Sequence, residues 1–101
     1  MMIARIWKGD VPLERSDEYL ARMRTVAIGD YRSTEGNQGA FALRREHTDR
    51  AEFLMLTFWE SRDSIKAFAG DDISVAKYYD FDAEVLLEMN PNVEHFEIYD
   101  D

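Results

Sequence analysis

The sequence predicts an α+β domain whose strands and helices follow in the order β-α-β-β-α-β. Three observations carry this. Ala51–Gly70 reads as a long strand that turns almost directly into a helix. Residues 2–9 alternate as a strand does, and residues 93–99 form a last strand-like stretch. Helix-start serines stand after the first and third strands, at Ser16 and Ser61.

Strand one places Ile3, Arg5 and Trp7 on one face and Met2, Ala4 and Ile6 on the other. Asp10-Val-Pro-Leu ends it. Ser16 is the expected N-cap, with Asp17 and Glu18 complementing the helix dipole in the first turn. That helix is expected to reach about Ile28, with Tyr19, Leu20, Met23, Val26 and Ala27 inward and Gly29 at C′. In the polar loop that follows, Gly36-Asn37 suits positive φ. Strand two is predicted from Gly39 to Glu46, with Phe41 and Leu43 on one face. His47–Arg50 makes the hairpin loop, with His47 in solvent.

Strand three, Glu52 to Trp59, is apolar on both faces. Leu54, Leu56 and Phe58 lie on one side, Phe53, Met55 and Trp59 on the other. Ser61 caps a helix that Gly70 closes, with Ile65, Phe68 and Ala69 inward. Residues 71–90 read as a short turn ending near Tyr78-Tyr79, then Phe81–Met89, which suits helix or strand and reads best as a short irregular piece. Pro91 breaks it, and Val93 to Tyr99 is the last strand. This order is the ferredoxin-like split βαβ pattern, with a four-stranded antiparallel sheet and both helices on one face. The opposite face would be a bare apolar patch, so a homodimer that pairs two sheets is expected.

The length suits one domain, residues 1–101, with a modest core. There is no cysteine, which excludes disulfides, thiolate metal sites and cysteine nucleophiles and fits a cytoplasmic origin. Residues 1–70 hold 11 acidic and 11 basic side chains, residues 71–101 hold 10 acidic and only Lys77 as a base, and the net charge is −9. Such a surface repels nucleic acid and anionic membrane. No apolar run approaches a membrane span.

Six segments together resemble one family: Ile3-Ala-Arg-Ile-Trp-Lys-Gly9, Gly36-Asn-Gln-Gly39, Phe58-Trp-Glu-Ser61, Ala67-Phe-Ala-Gly70, Tyr78-Tyr79 and Val93-Glu-His-Phe-Glu97. The chain is similar over nearly its whole length to the antibiotic biosynthesis monooxygenase-like proteins of the dimeric α/β-barrel superfamily. The resemblance implies the same fold and a dimeric α/β barrel. It also implies several possible activities, from cofactor-free oxygenation of polycyclic phenols to heme degradation. Heme-degrading relatives place a Trp late in the second helix and a His after it. By register from Trp59, Phe68 and Tyr78 stand at those positions here, and strand one offers no matching Asn. Heme degradation by that route is therefore not expected.

Trp7 and Trp59 are candidates for one wall of an aromatic pocket, since indoles stack on planar molecules and their N–H orients a carbonyl. Phe68, Tyr78 and Tyr79 extend that wall. Tyr78 stands where the resemblance places a site residue, and its phenol can donate to an oxyanion or relay a proton. His95 is the other candidate proton carrier. If Phe96 and Ile98 face the helices, His95 faces the other side of the sheet with Val93 and Tyr99. Arg5 must be paired or reach water. It can hold an acidic substrate group or pair with Glu97 in the last strand. His95 and Glu97 make an incomplete metal pair, and Asp80–Glu84 lacks the glycine and closing Glu of a calcium loop, so no metal is expected. The reading is a homodimeric, cofactor-independent monooxygenase for a planar phenolic or quinone-like molecule. The alternatives are a non-enzymatic ligand-binding or stress-associated domain, and heme binding without degradation.

Overall fold

The computed structural model describes residues 1–99; Asp100 and Asp101, the end of the acidic third, lie outside the described residues. Strand β1 (Ile3–Pro12) leads through a 3-10 turn (Leu13–Arg15) into a helical run. That run consists of α1 (Ser16–Arg22), a π-helical turn (Met23–Ala27) and α2 (Ile28–Ser33). β2 (Asn37–Glu46) and β3 (Arg50–Trp59) form a hairpin. α3 (Arg62–Ala69), α4 (Asp80–Val85) and β4 (Glu94–Glu97) complete the described chain. The sheet order is β2-β3-β1-β4 with every neighbour antiparallel, the expected ferredoxin-like α+β arrangement.

Strand alternation sets the two faces of the sheet. Ile3, Trp7 and Val11 of β1 and Ala51, Phe53, Met55 and Trp59 of β3 are buried under the helices. Their alternates form the bare face. Ile6 stands opposite Leu56, which stands opposite Phe41 on the other side, and Phe96 lies opposite Ala4. Phe41 and Phe96 are each 50% exposed there, so this face carries an apolar stripe across all four strands. Among the described residues no helix is long and apolar enough to cross a membrane.

Four local expectations are corrected. Ser16 is not an N-cap. The chain is already helical from Leu13, and the Ser16 hydroxyl instead meets Arg44 at 3.1 Å. The helix does not stop at Ile28, and Gly29 is an exposed helical residue on the solvent side. The buried stripe is Tyr19, Met23, Ala27 and Tyr31, while Val26 points outward. A spacing of four drifts about 40° per step at 3.6 residues per turn, and the wider π turn takes up that drift. Third, the piece after Tyr79 is a helix, α4, rather than irregular. Fourth, His47 is not simply solvated, because its Nε2 lies 3.1 Å from Glu52.

Ser61 and Ser64 form a reciprocal capping box at the start of α3, and Gly70 closes it at φ 93°, as the sequence predicts. Gly36 likewise adopts φ 91°. β4 corrects the expected facing. His95 pairs directly with Arg5 and shares its helix-side face, while Phe96 lies on the bare face.

Candidate functional site

β1 runs through the middle of the sheet, so its inward side chains are walled on both sides. Arg5 stands opposite Thr57 of β3 and His95 of β4. It is 1% exposed. Its Nη2 donates to the Val75 carbonyl at 3.2 Å, while Nε and Nη1 have no hydrogen-bond partner. Trp7, next along the same face, is 4% exposed and its Nε1–H also lacks a partner. So does His95 Nε2. A buried polar group left unpaired costs about 1–3 kcal/mol, so these adjacent cases are a site signal. Gly9 continues the face, and a Cβ there would meet the Trp7 ring at 2.5 Å and Leu86 at 2.8 Å.

Residues 71–93 cover this row. Val75 bridges to Asn92, the Ala76 N–H donates to the Pro91 carbonyl, and the Val93 N–H donates to the Ser74 carbonyl. Two side chains tie the cover to α2: Lys77 Nζ and the Tyr79 hydroxyl meet Asp30 Oδ2 at 3.0 and 2.6 Å. α4 adds Asp82, which is 2% exposed and accepts from the Tyr19 hydroxyl at 2.6 Å and the Tyr79 backbone N–H at 2.7 Å. Trp7, Tyr19, Tyr31, Lys77, Tyr79 and Asp82 line a small, partly open cavity of about 10 Å³, with Arg5 and His95 outside its lining; that is about the space of one water.

Charge states follow from this burial. Desolvation, reinforced by the nearby Arg5 and Arg62, lowers the His95 pKa below its ordinary 6.5, so the ring is neutral at neutral pH. Desolvation raises the Asp82 carboxyl, and the bonds from Tyr19 and Tyr79 only partly oppose it. Burial pushes Tyr31 up to about 12 against the pull of Arg5, although the two share no hydrogen bond of ordinary geometry. Burial also works against the Asp30 carboxylate, but Tyr79 and Lys77 outweigh it and hold the group below its usual range.

The structure brings some sequence candidates together and separates others. Arg5, Trp7 and His95 share one face, and Tyr79 joins Trp7 at the cavity. Tyr78 stands edge-on to Trp7 at 6.1 Å, with its hydroxyl donating to the Asn90 carbonyl rather than into the cavity. Trp59 is core: it is fully buried, its N–H donates to Thr57 Oγ1 at 2.8 Å, and it does not line the cavity. Phe68 is likewise packed, stacked on Tyr31 at 4.1 Å with Lys77 Nζ 4.4 Å from its ring centre. The expected Arg5–Glu97 pair does not form; Glu97 lies opposite Ile3. Among the described residues no group of three His, Asp or Glu side chains is placed to share a metal ion. Sequence reasoning missed Tyr19, Tyr31, Lys77 and Asp82. Asp82 alone carried a local signal, standing at the capping-box position three residues after Tyr79.

Comparison with known proteins agrees with this frame. No curated protein sequence matches significantly. A solved Bacillus cereus protein, provisionally assigned as an antibiotic biosynthesis monooxygenase, superposes with TM-score 0.67 at 15% identity, covering 99% of this chain and 97% of its own. Rv0793 of Mycobacterium tuberculosis superposes with TM-score 0.65 at 18% identity, covering 100% and 98%. Both show the shared fold. The family model described as antibiotic biosynthesis monooxygenase matches residues 2–74, well over half of the sequence, and the chain belongs to that family.

Proposed function

We propose that this chain acts as a homodimer and oxygenates a planar phenolic or quinone-like small molecule without a cofactor. The supporting observation is the row of buried, unpartnered nitrogens of Arg5, Trp7 and His95 on one sheet face. A phenolic, enolate or quinone oxygen supplies the partners they lack. Neutral His95 is in the protonation state to accept a phenol proton. The Trp7 N–H orients a carbonyl, Arg5 complements the developing negative charge, and Tyr79 shapes the wall beside Trp7. The electron-rich substrate anion then reduces O₂ itself: its carbon bonds one oxygen, and the peroxide formed takes up the proton to give a hydroperoxide. Loss of water by C–H and O–O cleavage leaves a new carbonyl. A second copy covers the bare face, where Phe41, Leu54, Leu56 and Phe96 would otherwise meet water.

Oxygen uptake with anthrone- and hydroquinone-like substrates tests the reading. Wild type consumes oxygen above background, and His95→Ala loses on the order of a hundredfold, the usual worth of general-base catalysis. Tyr78→Phe loses less, because its hydroxyl is engaged by Asn90. Background rates in wild type and both variants refute it. A second reading is a ligand-binding domain without turnover, since the unpartnered nitrogens call for a polar ligand atom whether or not that ligand reacts. Saturable quenching of Trp fluorescence by the same compounds without oxygen uptake selects that one.

A further inference from the structure

We propose that the ligand of this site is an aromatic acid, and that Arg5 reads its carboxylate at the place where the Val75 carbonyl now sits. The proposal rests on the ligand pocket of the preceding reading but not on oxygenation.

Three observations carry it. First, the guanidinium is incompletely satisfied in a way that matches a carboxylate. Nε and Nη2 form the edge of the fork that binds a carboxylate side-on through two parallel bonds. Here Nε has no partner and Nη2 has a single carbonyl oxygen at 3.2 Å. One neutral oxygen stands on an edge built for two charged ones.

Second, the chain withholds its own carboxylates from that edge. It carries 21 acidic residues against 12 basic ones. Among the described residues, none of those carboxylates lies within ion-pair distance of Arg5. The neighbours on β4 are committed elsewhere: Glu94 pairs with Lys8 at 3.4 Å, and Glu97 stands opposite Ile3. A buried, unpaired guanidinium is among the costlier arrangements a fold can hold.

Third, the surroundings are cationic and aromatic. Lys77 and Arg5 lie over the same Phe68 ring, at 4.4 and 5.6 Å from its centre. Arg62 acts with Arg5 on His95. Lys77 is already paired with Asp30 at 3.0 Å, so the charge left for an anion is that of Arg5, in a chain whose net charge of −9 otherwise repels one. The present occupant of the edge, Val75, belongs to the cover rather than to the sheet, and it is exposed on its outer side. A carboxylate can therefore replace it by displacing the cover, with no change in the sheet.

The test compares 1-hydroxy-2-naphthoate with its carboxamide, two planar phenols that differ in charge. Calorimetry on the wild-type protein is expected to give at least tenfold tighter binding of the carboxylate. Arg5→Met is expected to abolish that preference and keep the weak binding common to both compounds. Arg5→Lys, a point charge without the fork, is expected to fall between. Equal binding of the two compounds by wild type, or a preference that survives in Arg5→Met, overturns the proposal. So does absence of binding of either compound. Should Arg5→Met fail to fold, the wild-type ratio and Arg5→Lys decide. Oxygen uptake on neutral anthrone separates the two readings. Uptake without carboxylate preference removes the acid and leaves the oxygenase; carboxylate preference without uptake does the reverse.

Discussion

Replacing Arg5 by Met is expected to make the protein more stable while impairing its site. The substitution removes two buried nitrogens without partners, each costing about 1–3 kcal/mol. Against that stand one charged hydrogen bond to Val75, worth about 1.5–3 kcal/mol, and a cation–π contact with Phe68, worth about 0.5–2 kcal/mol. These contributions nearly cancel. The cost of an unsatisfied group is higher when it is charged, which tips the sign toward Met by about 1 kcal/mol or more. The Val75 carbonyl, freed of its donor, belongs to an exposed residue and can turn to water. In a chain of this size each kcal/mol moves Tm by about 4–8 °C. Thermal unfolding by circular dichroism is therefore expected to show a rise of at least about 4 °C, with the urea midpoint rising at unchanged slope. A lower Tm and midpoint in Arg5→Met refute the reasoning, since they mean the guanidinium is satisfied where it lies.

Four further expectations follow the same logic. His95 has a folded pKa below 6.5. As pH falls below that value the unfolded chain takes up a proton that the folded one refuses, so stability present above pH 6.5 is lost toward the lower folded pKa. His95→Gln flattens this part of the urea-midpoint profile against pH, and an unchanged slope contradicts it. Asp82→Ala leaves the buried Tyr19 hydroxyl and the Tyr79 N–H without their acceptor, for a loss of about 2–4 kcal/mol in urea unfolding; a loss near zero contradicts the burial. Leu56→Arg on the bare face is expected to shift a sedimenting dimer to a monomer at micromolar protein, and a monomeric wild type sinks the dimer outright. Hemin is expected to show no Soret shift with the protein, because Tyr78, which stands where heme-degrading relatives place a His, spends its hydroxyl on the Asn90 carbonyl; a shifted band contradicts this.

The facing of β1 and β3 was legible in the sequence because both are long and lie centrally, so alternation maps directly onto burial. Alternation puts Ile3, Arg5 and Trp7 on one face, and they lie together under the helices. β4 was not legible in this way. Its four residues, Glu94 to Glu97, carry one apolar side chain, Phe96, which alternation would turn toward the helices; only pairing with β1 turns Phe96 outward and His95 toward Arg5. The end of the first helix misled for a different reason. Gly29 is a natural stop by local preference, but Tyr31 gains a buried stack on Phe68, and the π turn rephases the helix to deliver it. For the site, an unpaired Arg in mid-strand was visible as a question. Its answer was hidden, because its partner, the Val75 carbonyl, lies 70 residues away and no local pattern announces such a contact.

The covering segment has a kinetic consequence. A preformed pocket is entered at a rate proportional to ligand concentration. This interior, with room for about one water, must first lose its ties between Val75 and Arg5 and between Asp30 and the Lys77–Tyr79 pair. Observed binding rates should then level off at high ligand, at the rate of opening. The measured affinity is the intrinsic one reduced by the open fraction. Asp30→Asn, which weakens two of those ties without touching the row of nitrogens, would raise both the plateau and the affinity.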